Sequence, residues 1–223
     1  MTASATHGQH SWIVDEIFRD ELANGYKGFF IEAGASDGAS GSNTLVLEKE
    51  YSWTGLLVEP NRKFFQRLAS HRTSICKNVV LSAADGEIEF LEAGWYGTAP
   101  DLVQHIYNGA LPQNEYFSSN FDGTPAETVK LQARALGSLL QEINAPSVID
   151  YFSLDVEGGE LSVLKGFDFS RYHIRAMTIE TKYQIGSSLH DHAHRAPCRE
   201  LLEAHGYRLT AELQYDDAYV FAG

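Results

Sequence analysis

The fold is decided by the stretch Phe29-Phe30-Ile31-Glu32-Ala33-Gly34-Ala35-Ser36-Asp37-Gly38. The apolar run Phe29–Ile31 is short and β-prone, which is typical of a buried parallel strand. Glu32 then stands near the carboxyl end of that strand, and Gly34 and Gly38 allow the backbone to turn tightly. Because ligands of open α/β sheets bind at the carboxyl ends of the strands, this stretch predicts one wall of a binding site.

The spacing Glu-x-Gly-x-x-x-Gly differs from the Gly-x-Gly-x-x-Gly of a dinucleotide site. A pyrophosphate binds amide donors at a helix N-terminus, whereas a carboxylate such as Glu32 suits a cationic ligand with an amino-acid end. Glu32 therefore favours S-adenosylmethionine (SAM) over NAD or ATP, and it disfavours an NAD-dependent oxidoreductase. An ordinary strand–helix turn is the alternative interpretation.

Segments of strand and helix character alternate along the chain. After the first strand, the predicted strands are Trp53–Val58, Ser74–Leu81 with a hairpin partner at Ile88 and Phe90, Thr128–Ala133, Ser147–Val156, Ile174–Glu180, and a final pair, Tyr207–Leu213 and Ala218–Phe221, around a turn at Asp216-Asp217. The alternation predicts a single doubly wound α/β domain over residues 1–223. A tail and first helix occupy residues 1–25.

A long insertion over residues 91–127 interrupts the alternation. It is rich in glycine, proline and aromatic residues. A loop of this length is usually functional or mobile, and we interpret it as a lid over the acceptor. A surface flap that packs its own aromatic side chains is the alternative.

The composition excludes several classes of partner. The chain of 223 residues carries a net charge of −13, which disfavours nucleic acid and anionic membranes. The N-terminus is polar and no apolar run reaches the length of a membrane span. We therefore expect a cytoplasmic protein that acts on a small-molecule acceptor, with self-association into a homo-oligomer left open.

Two further acidic positions extend the pattern of the first strand. Glu59 ends the second predicted strand, where an acid accepts hydrogen bonds from both ribose hydroxyls of a nucleoside. It is alternatively an acid that favours the start of the next helix. Asp155 and Glu157 follow a third apolar strand, and extended geometry would point both to the same side.

Clustered acids such as Asp155 and Glu157 repel one another unless a cation lies between them. They predict one of three uses: binding the SAM amino group, acting as general base for an acceptor hydroxyl, or holding a divalent metal. A solvated turn is the alternative. Farther along, His190 and His192 stand in a polar loop, and either could ligate a metal or act as the base. We favour a mechanism without a metal.

Together these motifs resemble the FkbM family of class I SAM-dependent methyltransferases. The residues that carry the resemblance are Gln9, Asp15, Phe30–Gly38, Ser42-Asn43-Thr44, Trp53–Leu56, Val58–Asn61, Asn78–Ser82, Asp155–Glu160 and Ile179-Glu180. The resemblance implies a Rossmann-like sheet of seven strands with the last one antiparallel. It also implies methyl transfer to oxygen, typically on sugars, polyketides or other secondary metabolites.

The resemblance also assigns roles by position. Glu32, Gly34 and Gly38, with Ala35 in the same turn, would line the methionine end of SAM, and Asn43 would lie nearby. Glu59 would hold the ribose. The adenine would lie against residues that end the third strand, namely Asn78, Val79, Val80 and Leu81. Asp155 would lie next to the sulfonium. The other candidate catalytic residues, Glu157, His190 and His192, come from the motifs described above.

The resulting hypothesis is a SAM-dependent O-methyltransferase that acts on a hydroxyl or carboxyl group. One rival is a metal-dependent O-methyltransferase that uses Asp155 and Glu157. Another is a non-catalytic SAM-binding module that scaffolds a partner.

Overall fold

The computed structural model describes residues 8–92, 125–185 and 188–223, without the side chains of residues 184 and 185. The helices are α1 (Gln9–Ser11), a π-helical turn (Trp12–Ile17), α2 (Arg19–Ala23), α3 (Leu45–Lys49), α4 (Arg62–His71), α5 (Leu136–Glu142), α6 (Glu160–Lys165) and α7 (Arg195–Ala204). The strands are β1 (Phe29–Ala33), β2 (Thr54–Val58), β3 (Ile75–Lys77), β4 (Val80–Ser82), β5 (Gly86–Glu92), β6 (Glu127–Ala135), β7 (Val148–Leu154), β8 (His173–Glu180), β9 (Lys182–Ile185), β10 (Ser188–Asp191), β11 (Tyr207–Glu212) and β12 (Asp216–Phe221).

Seven strands form the main sheet in the order β3-β2-β1-β7-β8-β12-β11. Strand β1 lies between β2 and β7 and is parallel to both. Strand β12 runs antiparallel to β8 and to β11. This confirms the expected doubly wound sheet with an antiparallel last strand.

Both faces of the central strands are buried, because helices cover the sheet on two sides. Ile31 contributes to one core cluster, together with apolar side chains of α5, α6 and α7. Its neighbour Phe30 points to the other face and packs with residues of the N-terminal helices, α3 and α4. This explains why the strands are continuous apolar runs rather than alternating ones.

The predicted third strand is wrong as a single element, because it divides at Asn78. Strand β3 ends at Lys77 in the main sheet, while Val80 begins β4 in a separate three-stranded sheet ordered β4-β6-β5. The Asn78 side chain donates to the backbone oxygens of Glu59 and Pro60, both at 2.8 Å. These bonds bind Asn78 to the end of β2 at the point where the chain leaves the main sheet.

Two smaller predictions are also corrected. Strand β5 pairs with β6 rather than forming a hairpin with the third strand. Asp216 and Asp217 are buried within β12 and are not a turn. Asp216 accepts a hydrogen bond from Gln9 (2.7 Å), and Asp217 is paired with Arg195 at 2.8 Å, so long-range partners override the local turn signal.

The proposed lid lies largely outside the described residues, since 93–124 are not among them. Within the described part of the chain, no helix is long and apolar enough to span a membrane.

Candidate active site at the carboxyl edge of the sheet

The turn after β1 is pressed against the end of β7. The amides of Gly34 and Ala35 both donate to the carbonyl oxygen of Val58, at 3.0 and 3.1 Å. Gly34 has a φ of +80°, and a Cβ atom there would lie 1.6 Å from the carbonyl oxygen of Asp155. Only glycine fits such an approach, and the contact brings the predicted cofactor turn beside Asp155.

Glu32 lies inside the protein and holds the loop that follows this turn. Its carboxylate accepts hydrogen bonds from the Asn43 amide (2.8 Å), from Ser42 Oγ (2.9 Å) and from Thr44 Oγ1. The Arg72 Nη1 atom lies 3.4 Å from Glu32 Oε2. Glu32 therefore has an evident structural role, and its contact with a cofactor stays a prediction.

Arg72 is a fully buried cation that the sequence did not reveal. Its Nε lies 3.2 Å from Glu48 Oε2, and its Nη2 donates to Thr44 Oγ1 at 2.9 Å. Its Nη1 also donates to the Gly38 carbonyl oxygen at 3.2 Å. We call Glu32, Glu48 and Arg72 the Glu32 network.

Glu48 is well compensated within this network. Burial alone would raise its pKa, but hydrogen bonds from Ser74 Oγ and the Thr73 amide, together with the charge of Arg72, lower the pKa to about 2. The carboxylate is consequently charged at neutral pH, and it holds the chain segment that leads into β3.

Glu59 is buried at the end of β2, as predicted. Its two oxygens accept hydrogen bonds from the amides of Ser36 and Asn61, both at 2.8 Å. Burial nevertheless raises its pKa to about 7. A carboxylate oxygen can accept more than one hydrogen bond, so the Glu59 oxygens retain acceptor capacity for a ribose hydroxyl.

A small open cleft lies at the ends of β1 and β7. Its lining consists of the β1 turn, the loop that follows and the end of β7, namely Glu32, Gly34, Ala35, Ser36, Ser40, Gly41, Ser42, Asn43, Ser153 and Asp155. Asn43 is held there by a hydrogen bond from its Nδ2 to Ser153 Oγ at 2.9 Å. Five of the residues predicted to bind the cofactor thus share one cleft.

The other predicted cofactor residues, Glu59 among them, are not part of this lining. Gly38 instead packs closely against α4, because a Cβ atom there would lie 2.6 Å from Leu68 Cδ1. Asn78 is engaged with the end of β2, Val79 packs against the core, and Val80 is buried in β4. Their contact with an adenine stays a prediction.

Three carboxylates meet at the ends of β7 and β8: Asp155, Glu157 and Glu180. One oxygen from each lies within 4.8 Å of the other two. We call these residues the Asp155 cluster. Glu157 has a φ of +56°, so the extended geometry expected for it is wrong, although it still lies close to Asp155. Backbone strain of this kind is concentrated at functional sites.

The Asp155 cluster is electrostatically unfavourable as it stands. Asp155 lines the cleft, and all three residues are partly buried. Burial and mutual repulsion raise the pKa of all three carboxyls. Uptake of a proton or of another cation would relieve this repulsion.

The histidine-rich segment divides into different environments. His190 is exposed in the β9–β10 hairpin, with its ring stacked 5.6 Å from that of Tyr183. His192 is buried, and burial lowers its pKa to about 4. His194 lies 2.9 Å from Glu160 Oε2; burial would lower the pKa of His194, but that carboxylate raises it.

Sequence reasoning missed Arg72 and Glu48 as residues of this edge. It placed Glu180 among the residues that carry the family resemblance but gave it no role, although Glu180 ends an apolar strand. Arg72 and Glu48 carry no such signal, because their pairing joins the end of α4 to α3 across 24 residues.

The strand order and the cleft at β1, where the order of connections reverses, define a Rossmann-like class I methyltransferase fold. The family described as Methyltransferase FkbM domain matches residues 32–209. The chain belongs to this family, which confirms the resemblance drawn from its motifs.

Solved structures give more distant likenesses. A methyltransferase FkbM from Methylobacillus flagellatus is 14% identical with a TM-score of 0.49, and the match covers 87% of this chain and 44% of that one. The METTL16 methyltransferase domain is 13% identical with a TM-score of 0.49, covering 95% and 66%. A magnesium protoporphyrin IX methyltransferase from Synechocystis, with bound SAM, is 12% identical with a TM-score of 0.40, covering 95% and 78%. The chain thus spans less than half the length of the FkbM structure. No curated protein matches the sequence.

Proposed function

We propose that this protein is a SAM-dependent methyltransferase that transfers the methyl group to an oxygen of a small molecule, such as a sugar or secondary metabolite, in the cytoplasm. The observation that carries the proposal is the acidic cleft. Glu32 and Asp155 line this cleft, and Glu59 follows the adjacent strand β2. The turn between them brings Gly34 against the Asp155 backbone. Membership of the FkbM family supports methyl transfer.

In the proposed arrangement the cofactor lies across the strand ends. Glu59 accepts hydrogen bonds from the ribose, and the methionine end lies along the turn at Gly34 and Ala35 near Asn43. The positive sulfonium then comes near Asp155, whose negative charge favours it. An acidic edge of this kind suits a cationic cofactor and repels a phosphate.

The transfer itself is an in-line displacement. The acceptor oxygen attacks the methyl carbon while the carbon–sulfur bond breaks, and its electron pair stays on sulfur to give S-adenosylhomocysteine (SAH). An alcohol acceptor gives its proton to a carboxylate of the Asp155 cluster, whereas a carboxylate acceptor needs no base. Most of the rate enhancement comes from holding the oxygen about 3 Å from the methyl group.

Calorimetric titration with SAH tests cofactor binding. We expect saturable binding by the intact chain and at least about tenfold weaker binding by Glu59→Ala, because a buried ribose would lose its charged acceptor. Glu89→Ala is the matched control, since Glu89 is an exposed acid on β5. Absence of binding, or full binding by Glu59→Ala, would contradict the proposal.

Methyl transfer is tested with SAM labelled in the methyl group, fractionated metabolites and mass spectrometry. We expect label on a hydroxyl or carboxyl oxygen. SAH binding without transfer to any pool would favour the scaffold module instead, and label on nitrogen alone would contradict O-methylation.

A further inference from the structure

The Asp155 cluster is built by two parallel neighbours in the sheet. Asp155 follows the last residue of β7, and Glu180 is the last residue of β8. Glu157 returns to the same point through its left-handed backbone conformation. The three carboxylate oxygens, all within 4.8 Å of one another, come from segments separated by more than twenty residues of sequence, so their meeting is a product of the fold.

His192 provides an independent observation on the same spot. Its side chain is only 2% exposed, and its Nε2 points at Glu180 Oε2 from 3.9 Å. Neither ring nitrogen has a hydrogen-bond partner among the described residues, and Glu180 Oε2 also has none. The Lys182 backbone lies beside the ring, outside hydrogen-bond geometry. A buried polar group without a partner costs about 1–3 kcal/mol.

The basic side chains of the neighbouring segments form ion pairs with other carboxylates. Lys182 pairs with Glu212 at 3.2 Å, Arg195 pairs with Asp217 at 2.8 Å, and His194 pairs with Glu160. Among the residues that the structure describes, no lysine or arginine forms an ion pair with Asp155 or Glu180. The protein's own cations therefore do not neutralise these two carboxylates.

The spacing of these groups matches that of ligands around one small cation. Two ligands bound at about 2.1 Å to an octahedral ion lie roughly 3 Å apart when adjacent and roughly 4.2 Å apart when opposite. The separations in the cluster require only a small contraction to reach this range. Carboxylate oxygens suit Mg²⁺ or Mn²⁺ rather than a thiophilic metal.

We propose that Asp155, Glu157 and Glu180 bind one divalent cation of the Mg²⁺ or Mn²⁺ type, with the His192 ring facing the same site. The proposal rests on the proposed function in one respect: the cation would stabilise the negative acceptor oxygen as its proton passes to solvent water. The acids would then serve as ligands in place of the base role described above, and the structure adds Glu180 to the acids predicted from the sequence. His190, which is exposed, takes no part in this site.

Mn²⁺ titration of the full chain, after removal of metal with EDTA, tests the site. Free Mn²⁺ is followed by electron paramagnetic resonance, so no acceptor is required. We expect one tight site in the unchanged protein and at least about tenfold weaker binding by Glu180→Gln and by Asp155→Asn, because each loses a charged ligand. Glu89→Gln should bind like the unchanged chain.

Thermal melting keeps the test decisive if a variant folds poorly. Without metal, Glu180→Gln should melt at the same or a higher temperature, since it removes one of three repelling charges. Added Mn²⁺ should raise the melting temperature of the unchanged chain, and the same Mn²⁺ concentration should raise that of Glu180→Gln by much less. Equal Mn²⁺ binding by the unchanged chain and by folded Glu180→Gln and Glu157→Gln would overturn the metal site.

SAH titration in EDTA separates the two proposals. Retained SAH binding together with Mn²⁺ binding supports both. Retained SAH binding with no Mn²⁺ site overturns the metal while leaving the methyltransferase intact. A Mn²⁺ site without SAH binding overturns the cofactor proposal and leaves the metal site established.

Discussion

The Glu32 network and the Asp155 cluster lie at the same edge of the sheet, and both gather carboxylates there. In the Glu32 network, the fully buried Arg72 and several hydroxyl and amide donors compensate both acids. In the Asp155 cluster, three acids face one another and their pKa values rise. The first arrangement provides each acid with donors from the chain, while the second is where we propose a bound cation.

The comparison shows that an acid at a strand end does not by itself indicate a ligand. What distinguishes the two regions is how completely the chain satisfies each carboxylate. Removing one partner of a buried, hydrogen-bonded charge pair is strongly destabilising, whereas buried ionisable groups with strongly shifted pKa values are enriched at functional sites.

The largest effect is expected where the two regions touch, at Gly34. Alanine there would place a methyl group 1.6 Å from the Asp155 carbonyl oxygen, so the turn and the end of β7 cannot both keep their positions. We expect Gly34→Ala to lose folding or, if folded, to lose SAH binding. Circular dichroism during melting and SAH calorimetry measure the two outcomes.

Gly25→Ala is the matched control for Gly34. Its φ of +75° is as positive as that of Gly34, but nothing lies within 4 Å of the added Cβ atom. It should cost only about 1 kcal/mol of backbone strain. Similar losses in the two variants would show that steric contact with β7 is unimportant.

The second prediction breaks the compensation within the Glu32 network. Arg72→Met keeps most of the volume but leaves Glu32 and Glu48 as buried charges without their cation, so the free energy of unfolding should fall by about 3–5 kcal/mol. Urea unfolding measures it. Arg67→Met is the control on the exposed side of the same helix, where less than about 1 kcal/mol is expected. A loss that small at Arg72 would mean that the hydroxyl and amide donors suffice.

The sequence anticipated these regions unequally. Glu59 and Asp155 were predicted because apolar strands end in them, a signal that is local in the chain. The role of Arg72 could not be predicted, because its partner Glu32 lies forty residues away in the sequence. No local pattern around Arg72 indicates that pairing. Likewise, the turn signal at Asp216-Asp217 gave no hint of Gln9 and Arg195, whose contacts keep both acids inside a strand.

The third prediction uses the opposite pKa shifts of Glu48 and Glu59. The pKa of Glu48 is lowered to about 2. The Glu48 carboxylate therefore stabilises the folded chain above pH 4.5, and this contribution to the free energy of unfolding is lost as the pH falls from 4.5 toward 2. The pKa of Glu59 is raised to about 7. The contribution of Glu59 to the free energy of unfolding is therefore greatest below pH 4.5 and is lost as the pH rises through 7.

Paired unfolding curves isolate each group. The stability difference between the unchanged chain and Glu48→Gln should shrink on acidification from pH 5 to pH 3. The difference for Glu59→Gln should instead move in favour of the variant, by on the order of 2 kcal/mol, between pH 5 and pH 8. A difference that stays constant with pH for either variant would show that the carboxyl titrates normally in the folded chain.

The smallest effect is expected at His190, which tests where the Asp155 cluster ends. The exposed His190 ring touches Tyr183, whereas the buried His192 ring points at Glu180. His190→Ala should therefore change the affinities for Mn²⁺ and for SAH by less than about twofold. His192→Ala should weaken Mn²⁺ binding by several fold, because it removes an imidazole that faces Glu180. A larger loss of Mn²⁺ affinity in His190→Ala than in His192→Ala would contradict this. It would mean that the site at the Asp155 cluster extends beyond β8 into the β9–β10 hairpin.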